Sequence, residues 1–236
     1  LTGYYDTTST KENTLTPISQ EIMKEVEGRV TITSYVNILD KNYWEYPYPR
    51  FIMENIRFFR NYTRFKPDIK LNTIYYYAEP DDDIRKEDLN GNVAWEKARH
   101  ICERYDIDSS LLKSKEEIDE IVDLSEEGYT FIREIVRENG QRDWLRVYND
   151  GVSRQPTEAE ITVAFKRMIL EMPKIGFVTG HGERGMYDRT PYGYQYIASN
   201  KKVKSSVWNQ GFDVEEVVLD KEVAKDIDII IIADPR

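Results

Sequence analysis

Pro173-Lys174-Ile175-Gly176-Phe177-Val178-Thr179-Gly180-His181-Gly182-Glu183-Arg184-Gly185 is the stretch whose reading decides the fold. Lys174 to Thr179 has strand composition, and a glycine-rich turn follows at once. Downstream, Tyr192 to Gln210 is predicted as a helix stopped by Gly211, and Val214 to Leu219 as a strand. Ile227 to Ala233 is a continuous aliphatic run of the kind that parallel sheets bury on both faces. This pattern opens a doubly wound α/β domain. The expected boundary falls at about residue 172, giving a first domain over 1–172 and a second over 173–236, truncated at its C-terminus.

Upstream, Thr16-Pro17 starts a helix with Ile18, Ile22 and Val26 on one apolar face, and Gly28 ends it. Val30 to Asn37 alternates as a strand. A helix from about Arg50 to Arg64 is expected to bury Phe51, Ile52, Ile56, Phe59 and Tyr62. Lys70 to Ala78 reads as a strand, Val93 to Tyr105 and Ser114 to Val122 as helices. Tyr129 to Val136 and Trp144 to Tyr148 form a hairpin around Asn139-Gly140. Thr157 and Glu160 set a capping box for a helix carrying Ile161, Phe165, Met168, Ile169 and Met172. The order β-α-β-α-β-β-α is that of a thioredoxin-like fold.

Composition removes several function classes. Asp plus Glu number 43 against 33 Lys plus Arg, a formal net charge of −10, which argues against nucleic acid or an anionic membrane as partner. No apolar stretch approaches the length that spans a bilayer. The single thiol, Cys102, leaves no internal disulfide, no Cys-x-x-Cys chemistry and no cysteine-rich zinc site. Two histidines, His100 and His181, leave little for a metal centre. No metal and no cofactor is therefore expected. The opening Leu-Thr-Gly-Tyr-Tyr-Asp and the close on Ile-Ala-Asp-Pro-Arg read as the ends of a fragment of a longer protein.

Gly180-His181-Gly182-Glu183-Arg184-Gly185 matches G-x-G-x-x-G after a strand. A dinucleotide fingerprint needs a helix starting inside the motif, and Pro191 stands against one here. The reading adopted is a tight strand-to-loop turn. The loop nevertheless lies where open α/β sheets bind ligands, so Gly180, His181, Gly182, Glu183 and Arg184 form a candidate ligand or partner loop. His181 and Glu183 are also the residues a hydrolase-like enzyme would use for acid–base work. His-x-Glu begins the zinc deaminase signature, but Pro-Cys-x-x-Cys is absent. Asp81-Asp82-Asp83 lacks calcium-loop spacing and reads as a solvated acidic loop. Tyr43, Trp44, Tyr46 and Tyr48 either face outward, as a glycan or partner contact, or fold back over the helix that follows. The stretch Asp40 to Pro49, where a thioredoxin-like fold would carry its redox pair, has no cysteine, and no nucleophile elbow occurs in the second domain.

Four features in order resemble the extracytoplasmic region of gliding-motility-type ABC transporter auxiliary proteins. They are Leu1-Thr2 through Thr14-Leu15-Thr16, Val30 to Tyr35, the helix Pro156 to Met168, and Pro173 to Glu183 followed by Asp226 to Pro235. The resemblance implies a periplasmic domain at the bacterial inner membrane, held there by helices outside these residues. It implies ABC permease and ATPase subunits as partners and no established enzymatic activity, while the transported substrate and any small-molecule ligand are not implied. It further implies a second domain like a class I glutamine amidotransferase without its catalytic cysteine. Transport, without catalysis, is the function expected.

Overall fold

The structure, a computed structural model, describes residues 6, 7, 9, 11, 13–40, 46–79, 91–148 and 154–233. In chain order the elements begin with α1 (Pro17–Glu25), β1 (Val30–Asn37), α2 (Pro49–Phe58), α3 (Arg60–Phe65) and β2 (Ile69–Tyr76). They continue with α4 (Gly91–Tyr105), β3 (Leu112–Lys113), α5 (Lys115–Asp119), β4 (Ile132–Arg137) and β5 (Arg142–Leu145). The last are α6 (Glu158–Arg167), β6 (Lys174–Val178), α7 (Gln195–Ala198), β7 (Asp213–Val217) and β8 (Ile229–Ile231). The protein is mixed α/β, with a mixed five-stranded sheet and a parallel three-stranded one. It divides into two compact units, Leu1–Thr16 with Glu27–Trp144, and Pro17–Val26 with Leu145–Arg236. Residue 172, where the sequence pattern changes, lies inside the second unit.

The first unit is a sheet in the order β3-β2-β1-β4-β5. β1 pairs parallel with β2, Val30 opposite Ile69, and antiparallel with β4, Val30 opposite Arg137. β1 is buried along nearly its whole length, as a central strand must be. One face carries Tyr35, Tyr76, Ile118, Leu124, Tyr129 and Ile132. β4 itself carries Arg133, 1% exposed, its guanidinium over the rings of Phe131 (4.8 Å), Phe58 (5.2 Å), Phe59 (5.6 Å) and Phe51 (5.9 Å). Its Nε donates to Asn55 Oδ1 at 2.9 Å, and Asn55 Nδ2 donates to Ser34 Oγ at 3.1 Å. Burial pulls the guanidinium's pKa down to about 10, so the group stays charged at neutral pH.

This chain of contacts corrects the expected face of the helix. Phe51, Asn55, Phe59 and Tyr62 are buried, whereas Ile52 and Ile56 are 37% and 44% exposed. A polar residue at 55 occupies the inward position because a buried cation needs an acceptor. The helix also breaks at Phe59, although the bonds from Phe59 N–H to Asn55 O (3.2 Å) and from Thr63 N–H to Phe59 O (2.9 Å) carry it across the break.

In the second unit α1 packs on α6, and Ser19 Oγ meets Thr162 Oγ1 at 2.8 Å in a buried contact. α1 turns Ser19 and Met23 inward; of the expected face Val26 is buried and Ile22 half-buried, whereas Ile18 is 71% exposed. The capping box is formed, with the Glu160 carboxylate accepting both the N–H and the hydroxyl of Thr157 at 2.6 Å. The sheet order is β7-β6-β8. Among the described residues β8 stands at the end of this order, and Ile229, Ile230 and Ile232 are about half exposed. The helix expected over Tyr192–Gln210 is reduced to α7 and a 3-10 turn at Trp208–Gln210. Asn200 Oδ1 accepts the Lys202 N–H (3.0 Å), and Asn209 Nδ2 donates to the carbonyls of Val203 (2.7 Å) and Lys201 (3.0 Å). These side chains offer the backbone partners that a helix would otherwise supply.

Replacing buried Asn55 by Leu is expected to destabilise the protein by about 3 kcal/mol despite the added apolar surface, because the Arg133 Nε loses its acceptor. The opposite exchange, Ile56→Asn, is expected to cost under about 0.5 kcal/mol, as a surface change does. Urea denaturation of both variants checks the pair.

Candidate functional site

The loop from Thr179 to Tyr194 leaves the carboxyl end of β6 in the parallel sheet. Its entry is fixed by Thr179 N–H donating to Val217 O (2.9 Å), and its middle by Arg184 N–H donating to Ala233 O (3.0 Å). It is therefore tied to the ends of both flanking strands. Gly180 (φ 110°) and Gly182 (φ 89°) occupy backbone conformations that side-chain-bearing residues avoid. Tyr194 N–H closes the loop onto Gly185 O at 3.0 Å. Gly193 is demanded by packing, since a Cβ there would stand 2.1 Å from the Asp188 carbonyl oxygen.

The motif's neighbours settle into a short ring of contacts. His181 N–H donates to Glu183 Oε2 at 2.6 Å, and His181 Nδ1 lies 3.6 Å from Glu183 Oε1. The Glu183 side chain is 3% exposed, that of His181 56%. Desolvation raises the Glu183 pKa, but the N–H groups of Glu183 and His181 and the His181 imidazole outweigh it and hold the carboxyl below its ordinary value. Arg184 places its guanidinium 5.7 Å from the Tyr194 ring centroid. The first helix after the motif, α7, starts only at Gln195, so Gly180–Gly185 presents no helix N-terminus to a pyrophosphate. The sequence reading missed the tyrosines beyond the motif. Tyr187, Tyr192 and Tyr196 are 58%, 72% and 54% exposed, with Ile197 beside them. Their signal was available as a Tyr-rich stretch around Pro191, but the predicted helix absorbed Tyr192 and Tyr196.

Of the aromatic loop, Tyr46 and Tyr48 are among the described residues, and both pack against other rings. Tyr46 is 2% exposed and stacks between Phe131 (4.1 Å) and Phe51 (4.3 Å). Tyr48 is half-buried, 4.4 Å from the Tyr105 ring. Tyr43, Trp44 and Asp81-Asp82-Asp83 lie outside the described residues. The carboxyl ends of β1 and β2 are filled by a polar lock. Asn37 Nδ2 donates to the carbonyls of Ala78 and Tyr129, each at 2.8 Å, while Asp40 Oδ2 accepts the Phe131 N–H at 3.2 Å. Cys102, in the first unit, is buried, and desolvation pushes its thiol pKa up.

A cleft of about 800 Å³ opens at the amino ends of β6 and β7, lined by Arg167, Lys174, Asp213 and Asp226 among others. These four charges pair with one another. Arg167 pairs with Asp213 and donates to the carbonyls of Trp208 and Phe212, each at 2.8 Å. Lys174 pairs with Asp226 and with Glu215 at 3.3 Å. Among the described residues no group of three or more His, Cys, Asp or Glu side chains is arranged to hold a metal ion. Comparison with family models, with curated proteins and with solved structures returns no match.

Because the folded Glu183 pKa is depressed, its contribution to loop order is present above the unfolded value and is lost as pH falls through the folded one. The His181 amide is expected to lose exchange protection on acidification in the native chain. Glu183→Gln is expected to abolish that pH dependence, read by hydrogen exchange between pH 3 and pH 7, a range of roughly the carboxylate titration window.

Proposed function

We propose that this chain is the non-catalytic extracytoplasmic region of a membrane-anchored ABC transporter component, working through protein or ligand contacts at the β6 exit loop. The observation that carries the reading is the commitment of Glu183 to its own loop. A carboxylate held at 2.6 Å by the His181 N–H is a loop-closing acceptor, and the adjacent exposed tyrosines supply surface for a partner. The finer fold reading is in keeping with this. Parallel β1 and β2 beside antiparallel β4 and β5 agree with a thioredoxin-like first unit, and the order β7-β6-β8 agrees with an amidotransferase-like second one. The partners proposed are the permease and ATPase subunits, with this chain on the periplasmic side of the bacterial inner membrane.

One contact favours a second reading, a hydrolase-like enzyme: the 3.6 Å approach of the His181 imidazole to Glu183. Affinity purification of the full-length protein from detergent-solubilised membranes separates the two. The transporter reading expects a permease and an ATP-hydrolysing subunit to copurify, and Tyr192→Ala with Tyr196→Ala to lower their recovery. Recovery of the full-length protein without membranes, or ester or amide hydrolysis abolished by His181→Ala, would overturn it.

A further inference from the structure

The outer face of α2 and α3 concentrates positive charge on a chain whose net charge is −10. With Phe51, Asn55, Phe59 and Tyr62 turned inward, the exposed side carries Ile52, Met53 and Ile56 together with Arg57, Arg60 and Arg64. Ile52, Ile56, Arg60 and Arg64 follow one another at i, i+4 spacing, so they form a single row about 18 Å long. Met53 and Arg57 form a second row beside it, and Arg50 stands at its start. Glu54 is the one carboxylate in this stretch. The contacts of Arg50 with the Tyr48 ring (5.0 Å) and of Arg60 with Asn13 Oδ1 (3.1 Å) involve neutral groups, so they leave the charge in place.

We infer that this face docks against an anionic lipid surface, with Ile52, Met53 and Ile56 entering the headgroup boundary and the arginines pairing with lipid phosphates. Charge complementarity selects an anionic partner. The apolar residues of this face, two isoleucines and a methionine, stand on the convex side of a helix, where a broad lipid surface meets them without a pocket. Protein hot spots instead seat Trp, Tyr and Arg in desolvated pockets, whereas these arginines are exposed along the helix. Arginines spread along a helix beside an apolar row match distributed headgroups, with their stems lying on the apolar surface and their heads at the phosphates. Among the described residues no helix is long and apolar enough to cross a membrane, so the contact is peripheral. Net charge does not forbid it, because charges more than about 8–10 Å from the surface are largely screened at physiological salt. The inference goes beyond the transporter reading and does not depend on it.

Sedimentation with phosphatidylcholine vesicles containing 30% phosphatidylglycerol, at about 0.1 M salt, tests it. The chain is expected to bind these vesicles and not pure phosphatidylcholine. Arg57→Gln with Arg60→Gln is expected to weaken partitioning about 30-fold, from the contribution of each basic residue near a charged surface. Ile52→Asn with Ile56→Asn is expected to weaken it as well, while Lys221→Gln with Lys225→Gln, exposed elsewhere, leaves it unchanged. Absence of binding to the anionic vesicles overturns the inference, as does equal binding by all variants. So does capture of the chain by a polyglutamate peptide in place of the vesicles.

Discussion

The first unit is organised around one buried cation. Arg133 sits on the central part of the sheet, ringed by Phe51, Phe58, Phe59 and Phe131, and joined through Asn55 to Ser34 on the neighbouring strand. Burying a guanidinium costs solvation, which the depressed pKa registers. Ring faces offset that cost at about 2 kcal/mol or more per desolvated cation–π contact in favourable cases, and the Asn55 acceptor satisfies Nε. Tyr46 extends the ring system by stacking on Phe51 and Phe131. Strand β4, strand β1 and helix α2 are therefore held by the same side chain.

That constraint reaches the surface. If Asn55 must face Arg133, the positions one turn around the helix are committed: Phe51 and Phe59 go inward, Ile52 and Ile56 outward. The arginines at 57, 60 and 64 then share the outer side with them. A core interaction thus sets which residues the molecule shows to a partner. The net charge of −10 describes the whole chain and conceals this local reversal of sign. In the second unit the corresponding role belongs to backbone bonds, since the β6 exit loop is tied to the ends of β7 and β8 and closed by Glu183.

Local rules were legible where local chemistry decides. β1 was readable to the residue from its β-branched alternation, and the Thr157–Glu160 box from its spacing. The glycines of Gly180-His181-Gly182 announced a turn, and the structure places them in left-handed conformations. What escaped depended on partners distant in sequence. Asn55 reads as a surface residue until Arg133, far along the chain, is known to need it. Ile227 to Ala233 reads as a strand, and its neighbour β6 in the sheet is a property of topology. The over-long helix at 192–210 failed for a local reason: Asn200 and Asn209 bond the backbone of the intervening turns. Of the candidate site, the loop was legible and exposed Tyr192 and Tyr196 were not, because a helix was expected to carry them.

The central claim is that Arg133 fixes the rotation of α2. Single cysteines placed at positions 51, 52, 53, 56 and 62 in a Cys102→Ser background, labelled with a thiol reagent under native conditions, test it most directly. Rapid labelling is expected at 52, 53 and 56, with protection at 51 and 62. In an Arg133→Leu background that contrast is expected to fade. Protection at 52 and 56, or an unchanged contrast in the Arg133→Leu background, would contradict it.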